Sequence, residues 1–303
     1  MNIDRAEGHK FVLALLDSEP HRLGANFAQM LYQQTRGNPL FTIEILRGMQ
    51  ERGDLVHDHE GYWIEGQRLD WEMLPARIEA VIDERIGRLA QPMRAALRVA
   101  SVEGKTFTAE AVARVLAMSE RDLLGRLSRE LDKRHHLIRA HTIQRKCDQL
   151  LSRYRFRHIQ IQKYLYGNLD EVERVYLHEQ LGTTLEALYD VQERALGADT
   201  TNITPQLARH FQEAKNRDKA IYYLRQAGER ALHLFAYQAA IAHLTKGLDL
   251  LMEQPETPQR DEKELEFQLS LGMTLKGMRG VGTPAVENVY IRAGDLIKQT
   301  GMT

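Results

Sequence analysis

The chain has 303 residues, 43% hydrophobic and 27% charged, with 41 Lys and Arg against 42 Asp and Glu for a formal net charge of −1. That length allows two or three domains with sizeable cores, and the balanced charge excludes a globally nucleic-acid-binding composition. The single cysteine, Cys147, excludes a disulfide framework and fits a reducing compartment.

The first apolar run, Phe11 to Leu16, is too short for a signal-peptide core or a membrane span. A cytoplasmic location without membrane contact is therefore expected. Ala, Leu, Arg, Glu and Gln dominate, prolines number 8, and no long alternation of Val, Ile and Thr occurs. These features predict a mostly all-α fold.

In chain order, helical spacing covers roughly Lys10–Leu16 and Gly24–Arg36, with Phe27, Leu31 and Tyr32 on one face. The pattern breaks at Gly37-Asn38-Pro39, and Pro39 suits the first turn of a new helix, Leu40–Glu51, closed by Gly53. Leu55-Val56 and Tyr62-Trp63-Ile64, around Asp58-His59-Glu60-Gly61, read as a small β-hairpin. Helices follow over Pro75–Leu89, Met93–Val102, Ala109–Val115 and Ser119–Lys133. Leu137–Ala140 and Tyr154–Arg157 read as two short strands separated by a polar loop. Three helices, a strand, a loop and a strand are the order of a winged-helix domain with a small β-wing. Further helices are expected from His158 to Leu165 and from Glu171 to Leu188.

A linker is read at Gly197–Asn202, and helical hairpins follow it. Leu207, Ala208, Phe211, Ala220, Leu224 and Ala227 have the small-and-large spacing of a tetratricopeptide (TPR) repeat; Gly228, Ala240, Leu244 and Gly247 repeat it, and Leu271, Gly272, Leu275, Tyr290 and Ala293 resemble a third copy. Small residues at helix crossings let backbones approach, and large ones fill the groove beside them. The last helix, about Ala285–Gln299, presents Val286, Val289, Tyr290, Ala293, Leu296 and Ile297, and the chain stops at Gly301-Met302-Thr303. An uncapped apolar face that self-associates or belongs to a longer array is the expectation.

Few motifs carry chemistry. Gly104-Lys105-Thr106 resembles the end of a phosphate-binding P-loop, but Val99 stands where the loop needs its first glycine, inside a predicted helix. The triplet therefore reads as an inter-helix turn with Phe107 returning to the core. No apolar strand ending in paired acids supplies a magnesium site, so catalytic residues are none. The histidines, among them His57, His59, His135, His136 and His178, lack metal-ligand spacing and read as solvated polar positions; metal ligands are none. Between Arg121 and Lys163, twelve Lys and Arg face four acids. That excess could meet DNA phosphates, an anionic nucleotide or an acidic neighbouring domain.

Gly37-Asn38-Pro39-Leu40-Phe41, with Thr35 before it and Glu44 after it, resembles the lid entry of signal-transduction ATPases of the STAND (AAA-like) class. The similarity is greatest to the bacterial "predicted ATPases" found beside class III adenylate cyclase or LuxR-type domains. Gly61-Tyr62-Trp63, Leu74-Pro75, Ile82-Asp83-Glu84-Arg85-Ile86, Val102-Glu103-Gly104-Lys105-x-Phe107 and Tyr154-Arg155-Phe156-Arg157-His158 extend it over nearly the whole chain from Phe11. The resemblance implies nucleotide contacts at Gly37 and Pro39, and at His158, where the class places a histidine against the β-phosphate of ADP. Ile159 stands where many relatives carry an acid, so that motif is incomplete.

The resemblance further implies a helical lid subdomain at 1–69, a winged-helix domain at 70–190 and TPR-like repeats at 201–303. It implies a nucleotide-binding domain before residue 1, or on another chain, so the chain has no cofactor of its own and ATP or ADP belongs to the parent protein. The expected function is regulation: closing over that nucleotide and receiving a protein partner through 201–303. A DNA-binding transcriptional regulator using the basic winged helix is the alternative, with DNA not the expected partner.

Overall fold

The computed structural model describes residues 5–67, 69–71, 78–146, 149–189, 203–280 and 282–300. Leu74-Pro75, Cys147, the linker at Gly197–Asn202 and the final Gly301-Met302-Thr303 lie outside them. The described residues form mostly helix. In chain order they are α1 (Arg5–Leu16), α2 (Ala25–Thr35), α3 (Pro39–Arg52), strands β1 (Leu55–His57) and β2 (Trp63–Glu65), α4 (Ile78–Gly87) and α5 (Gln91–Glu103). Then come β3 (Thr106–Thr108), α6 (Ala109–Val115), α7 (Glu120–Arg126) running on into a π-helical stretch (Leu127–Arg134), β4 (Ile138–Lys146) and β5 (Gln149–Phe156). The remainder is α8 (Ile159–Gly167), α9 (Glu171–Tyr189), α10 (Thr204–Glu213), α11 (Arg217–His233), α12 (Tyr237–Met252), α13 (Pro258–Arg279) and α14 (Pro284–Thr300). No helix among the described residues is long and apolar enough to cross a membrane.

The chain divides into two compact units: Met1–Ala95 with Phe156–Tyr164, and Ala96–Arg155 with Leu165–Thr303. The first takes in α4 and the opening residues of α8 besides the segment expected to form the lid. Its core is Val12, Phe27, Leu31, Phe41, Ile45 and Met49, contributed by α1, α2 and α3. The turn between α2 and α3 is drawn tight by two buried threonines: Thr42 Oγ1 donates to Thr35 Oγ1 at 3.0 Å, and Thr35 Oγ1 donates to Leu31 O at 2.8 Å. Asn38 caps α3 by accepting from the Phe41 N–H at 3.1 Å, and Pro39 occupies the first turn as the sequence predicts. The β1–β2 hairpin forms with Val56 opposite Ile64. It gains a third element the sequence does not show: the Trp63 N–H donates to Pro20 O at 3.0 Å, and Trp63 O accepts from the Arg22 N–H at 2.9 Å.

In the second unit, β3, β5 and β4 form one sheet in that order. β3 is too short to show an alternating pattern; it pairs Phe107 with Tyr154, and Phe107 is fully buried. The expected polar loop between two short strands is largely strand instead. β4 and β5 extend through it because a ladder needs only backbone partners, and an antiparallel sheet leaves one face to solvent. Ile143 and Leu150 accordingly stand exposed there. The helix expected over Ser119–Lys133 changes to π geometry after Arg126, with the His135 N–H donating to Glu130 O.

From α9 onward each helix packs on the next. Glycines set the spacing: a methyl group on Gly228 would lie 2.6 Å from Leu244, one on Gly272 2.8 Å from Tyr290, and one on Gly247 would collide with the Phe267 ring. Arg292 joins α14 to α13 through two bonds to Glu264, at 2.7 and 2.8 Å. The apolar face read on α14 is largely spent on this packing. Val286, Ala293 and Leu296 are buried, and Tyr290, Ile291 and Ile297 stay exposed.

Candidate functional site

The first unit gathers residues that the sequence scatters. Glu44, one and a half turns into α3, is buried at 3% exposure and pairs with Arg85 of α4. The seam continues outward through Glu51 with Arg88, Arg88 with Glu84, and Arg52 with Asp54 at 2.8 Å. His158, half-buried just before α8, lies within electrostatic reach of Glu44, Arg85, Arg157 and Arg47. Tyr164 Oη donates to Asp83 Oδ1 at 2.6 Å and ties the middle of α8 to α4.

Burial holds the His158 imidazole below the ordinary histidine value; Glu44 opposes the shift and the three arginines add to it. The ring is therefore neutral at physiological pH, able to donate from one nitrogen and accept at the other. Arg52, Arg85 and Arg88 of this seam are each paired with a carboxylate, and Arg47 and Arg157 bring two further positive charges near His158. Arg47 also lines a slot of about 180 Å³ with Leu15, Leu46, Leu55 and Trp63.

Gly37 and Pro39 sit differently. Gly37 adopts φ +68 and is buried against α1, where a methyl group would collide with the backbone of Gly8. Its bareness lets α1 approach. Pro39 is half-buried on α3, and five residues place it about 140° around the helix axis from Glu44. The structure brings His158 within electrostatic reach of Glu44, Arg47 and Arg85, and Pro39 lies about 80° around the axis of α3 from Arg47.

Gly104-Lys105-Thr106 forms a turn from helix α5 into strand β3, the reverse of the strand-to-helix order a P-loop requires. Its neighbour Glu103 is buried and accepts from the Thr108 N–H at 2.8 Å, Thr108 Oγ1 at 2.9 Å and Gln206 Nε2 at 3.2 Å, with Arg153 at 3.9 Å. Burial pushes its carboxyl up, against those bonds. Arg209 closes the end of α5 by donating to Val102 O at 3.0 Å and Glu103 O at 2.7 Å. This constellation is a structural joint.

His57 stacks on Trp63 at 3.6 Å, and His59 is exposed. His178 overturns the expectation of a solvated position: it is fully buried, as is His210. The signal was present in the spacing, since His178 falls between Leu177 and Leu181 and His210 between Leu207 and Phe211, on the apolar stripes of their helices. Among the described residues no three His, Cys, Asp or Glu side chains are grouped to hold a metal. No protein-family model matches this chain, and no curated protein or solved structure matches it.

Proposed function

We propose that this chain is the regulatory and interaction portion of a signal-transduction ATPase of the STAND class. In this reading the first unit turns its cationic cluster toward the phosphates of a nucleotide held by a P-loop domain, supplied in cis or in trans. α1–α3 with the β1–β2 hairpin act as the lid, α5–α7 with β3–β5 as a winged helix, and α10–α14 as a TPR-like array that receives a protein partner. The observation that carries the reading is the meeting of Glu44, Arg85 and His158. They come from three separate segments of the resemblance, and Arg47 and Arg157 add the positive charge a phosphate group demands. The glycine-to-large-residue contacts along α11–α14 support the repeat reading.

Titrating ADP into the chain at low salt tests it. The imidazole signal of His158 and the amides of α3 shift in the millimolar range, inorganic tripolyphosphate competes, and Arg47→Ala weakens the effect. Phosphate release from ATP stays at the rate of a buffer blank. A His158 signal unmoved by millimolar ADP removes the nucleotide reading.

One observation favours the DNA-binding alternative. β4 is one of the two edge strands of its sheet and carries Arg139, His141, Thr142 and Arg145 exposed. Tight, sequence-specific binding of duplex DNA at physiological salt would put that reading first.

A further inference from the structure

The helices α8, α9 and α10 enclose a polar chain that the nucleotide reading does not use. Tyr166 Oη lies 3.0 Å from His178 Nε2, and His178 Nδ1 lies 3.0 Å from His210 Nδ1. Both imidazoles are fully buried. His210 Nε2 has no hydrogen-bond partner among the described residues. Directly beside the pair, a methyl group on Gly182 of α9 would lie 3.0 Å from the Phe211 ring and 3.4 Å from His210 Cβ, so the bare glycine lets α9 and α10 approach closely here.

Two imidazoles that face each other through the same ring nitrogen share one proton. With both neutral, one Nδ1 donates and the other accepts, and His178 Nε2 exchanges a bond with the Tyr166 hydroxyl. A first added proton places a buried cation beside Arg174 of α9 and Arg209 of α10, the charged groups that act on the pair. A second turns the central bond into two opposed N–H donors. Glu213 of α10 is the carboxylate that acts on the latch, through Tyr166. The other carboxylates on the surrounding elements are engaged elsewhere: Glu179 of α9 accepts from Asn216 Nδ2 at 3.2 Å, and Glu186 accepts from Tyr223 and Lys219 of α11. Glu110 of α6 takes the Ser152 N–H at 2.8 Å. Arg174 stacks on the Tyr166 ring from 4.8 Å.

We propose that Tyr166, His178 and His210 form an acid-sensitive latch that holds α9 against α10 while both imidazoles are neutral and releases that seam on acidification. Desolvation and the two arginines hold His178 at about 3 and His210 well below the ordinary histidine value. The released or unfolded segment titrates near 6.5. It therefore binds more protons than the latched one below that pH, and the latch is fully favourable above about pH 6.5 and loses ground as pH falls. Between pH 7 and pH 5 the closing equilibrium drops by about 25-fold through His178 alone, and His210 adds to the loss in the same direction.

Hydrogen exchange of the full chain at pH 7 and pH 5, corrected for intrinsic rates, reads the latch directly. Protection of α9 and α10 is expected to fall about 25-fold or more relative to α12 and α13. A His178→Gln, His210→Gln double variant loses that dependence, and one that keeps it in full overturns the proposal. Imidazole proton–carbon spectra of the unmodified chain give a reading that needs no variant: both rings remain neutral until the amides of α9 and α10 change. Rings that titrate near 6.5 with those amides undisturbed overturn the proposal, and so does an equal loss of protection in α12 and α13.

Discussion

At the scale of single residues, Glu44 and Glu103 show how much of this molecule rests on buried carboxylates. Each is more than nine-tenths buried, with Glu44 paired to Arg85 and Glu103 accepting from the Thr108 N–H. Removing one partner of such a pair costs more than the pair contributes, because the other is left desolvated and unmatched. Glu44→Ala is expected to lower the stability of the first unit by about 2–4 kcal/mol in urea denaturation. Glu44→Gln, which can still accept from Arg85, should cost less. A loss under 0.5 kcal/mol, roughly the level of an exposed ion pair, would mean Arg85 finds another acceptor. Glu44, Arg85, Arg157 and His158 each stood in a motif of the sequence, Arg47 did not, and their meeting was not legible there. Glu44 and Arg85 are 41 positions apart, and no local period reports which turn of one helix faces which turn of another. The buried His178 was misread for a related reason. Histidine carries no fixed preference for inside or outside, so only its place on an apolar stripe could have located it.

Among the elements, helix positions and the hairpin at Val56 and Ile64 followed from period and punctuation, since Gly53, Asn38 and Pro39 act through neighbours a few residues away. β3 and the full length of β4 and β5 did not, because their ladder is made by a partner strand rather than by the pattern of either strand alone. Glycines inside the later helices allow a contrast at fixed chemistry. Gly247→Ala places a methyl into the Phe267 ring and should cost about 1–3 kcal/mol through overpacking. Gly294→Ala in α14 meets nothing within 4 Å, and it should add roughly 0.5–1 kcal/mol from helix propensity. Thermal unfolding of the two variants should shift in opposite directions. Shifts of the same sign would mean the close approach at Gly247 is not what spaces α12 and α13. The Glu264–Arg292 pair adds a pH signature. Arg292 holds the Glu264 carboxyl below the ordinary range, so its share of stability is present above about pH 4.5 and is lost as pH falls.

For the whole molecule, positive and negative charges nearly cancel, with 41 Lys and Arg against 42 Asp and Glu, while the stretch from Arg121 to Lys163 is strongly basic. Any duplex DNA bound by that stretch should be held through phosphates alone, with affinity falling steeply between 50 and 200 mM salt and no preference between sequences, roughly as counterion release dictates. Competition titrations at two salt concentrations check this, and a salt-resistant preference for one sequence would contradict it.

From α10 to α14 the helices pack mainly on their immediate neighbours along the chain. In mechanical terms this stretch is a spring of linked coils. Tension would be carried from helix to helix through close approaches such as Phe267 on Gly247 and Tyr290 on Gly272. Pulled from its ends, such a segment yields one hairpin at a time and recoils in the same small steps, so it can lengthen under load and return without passing through a fully unfolded chain.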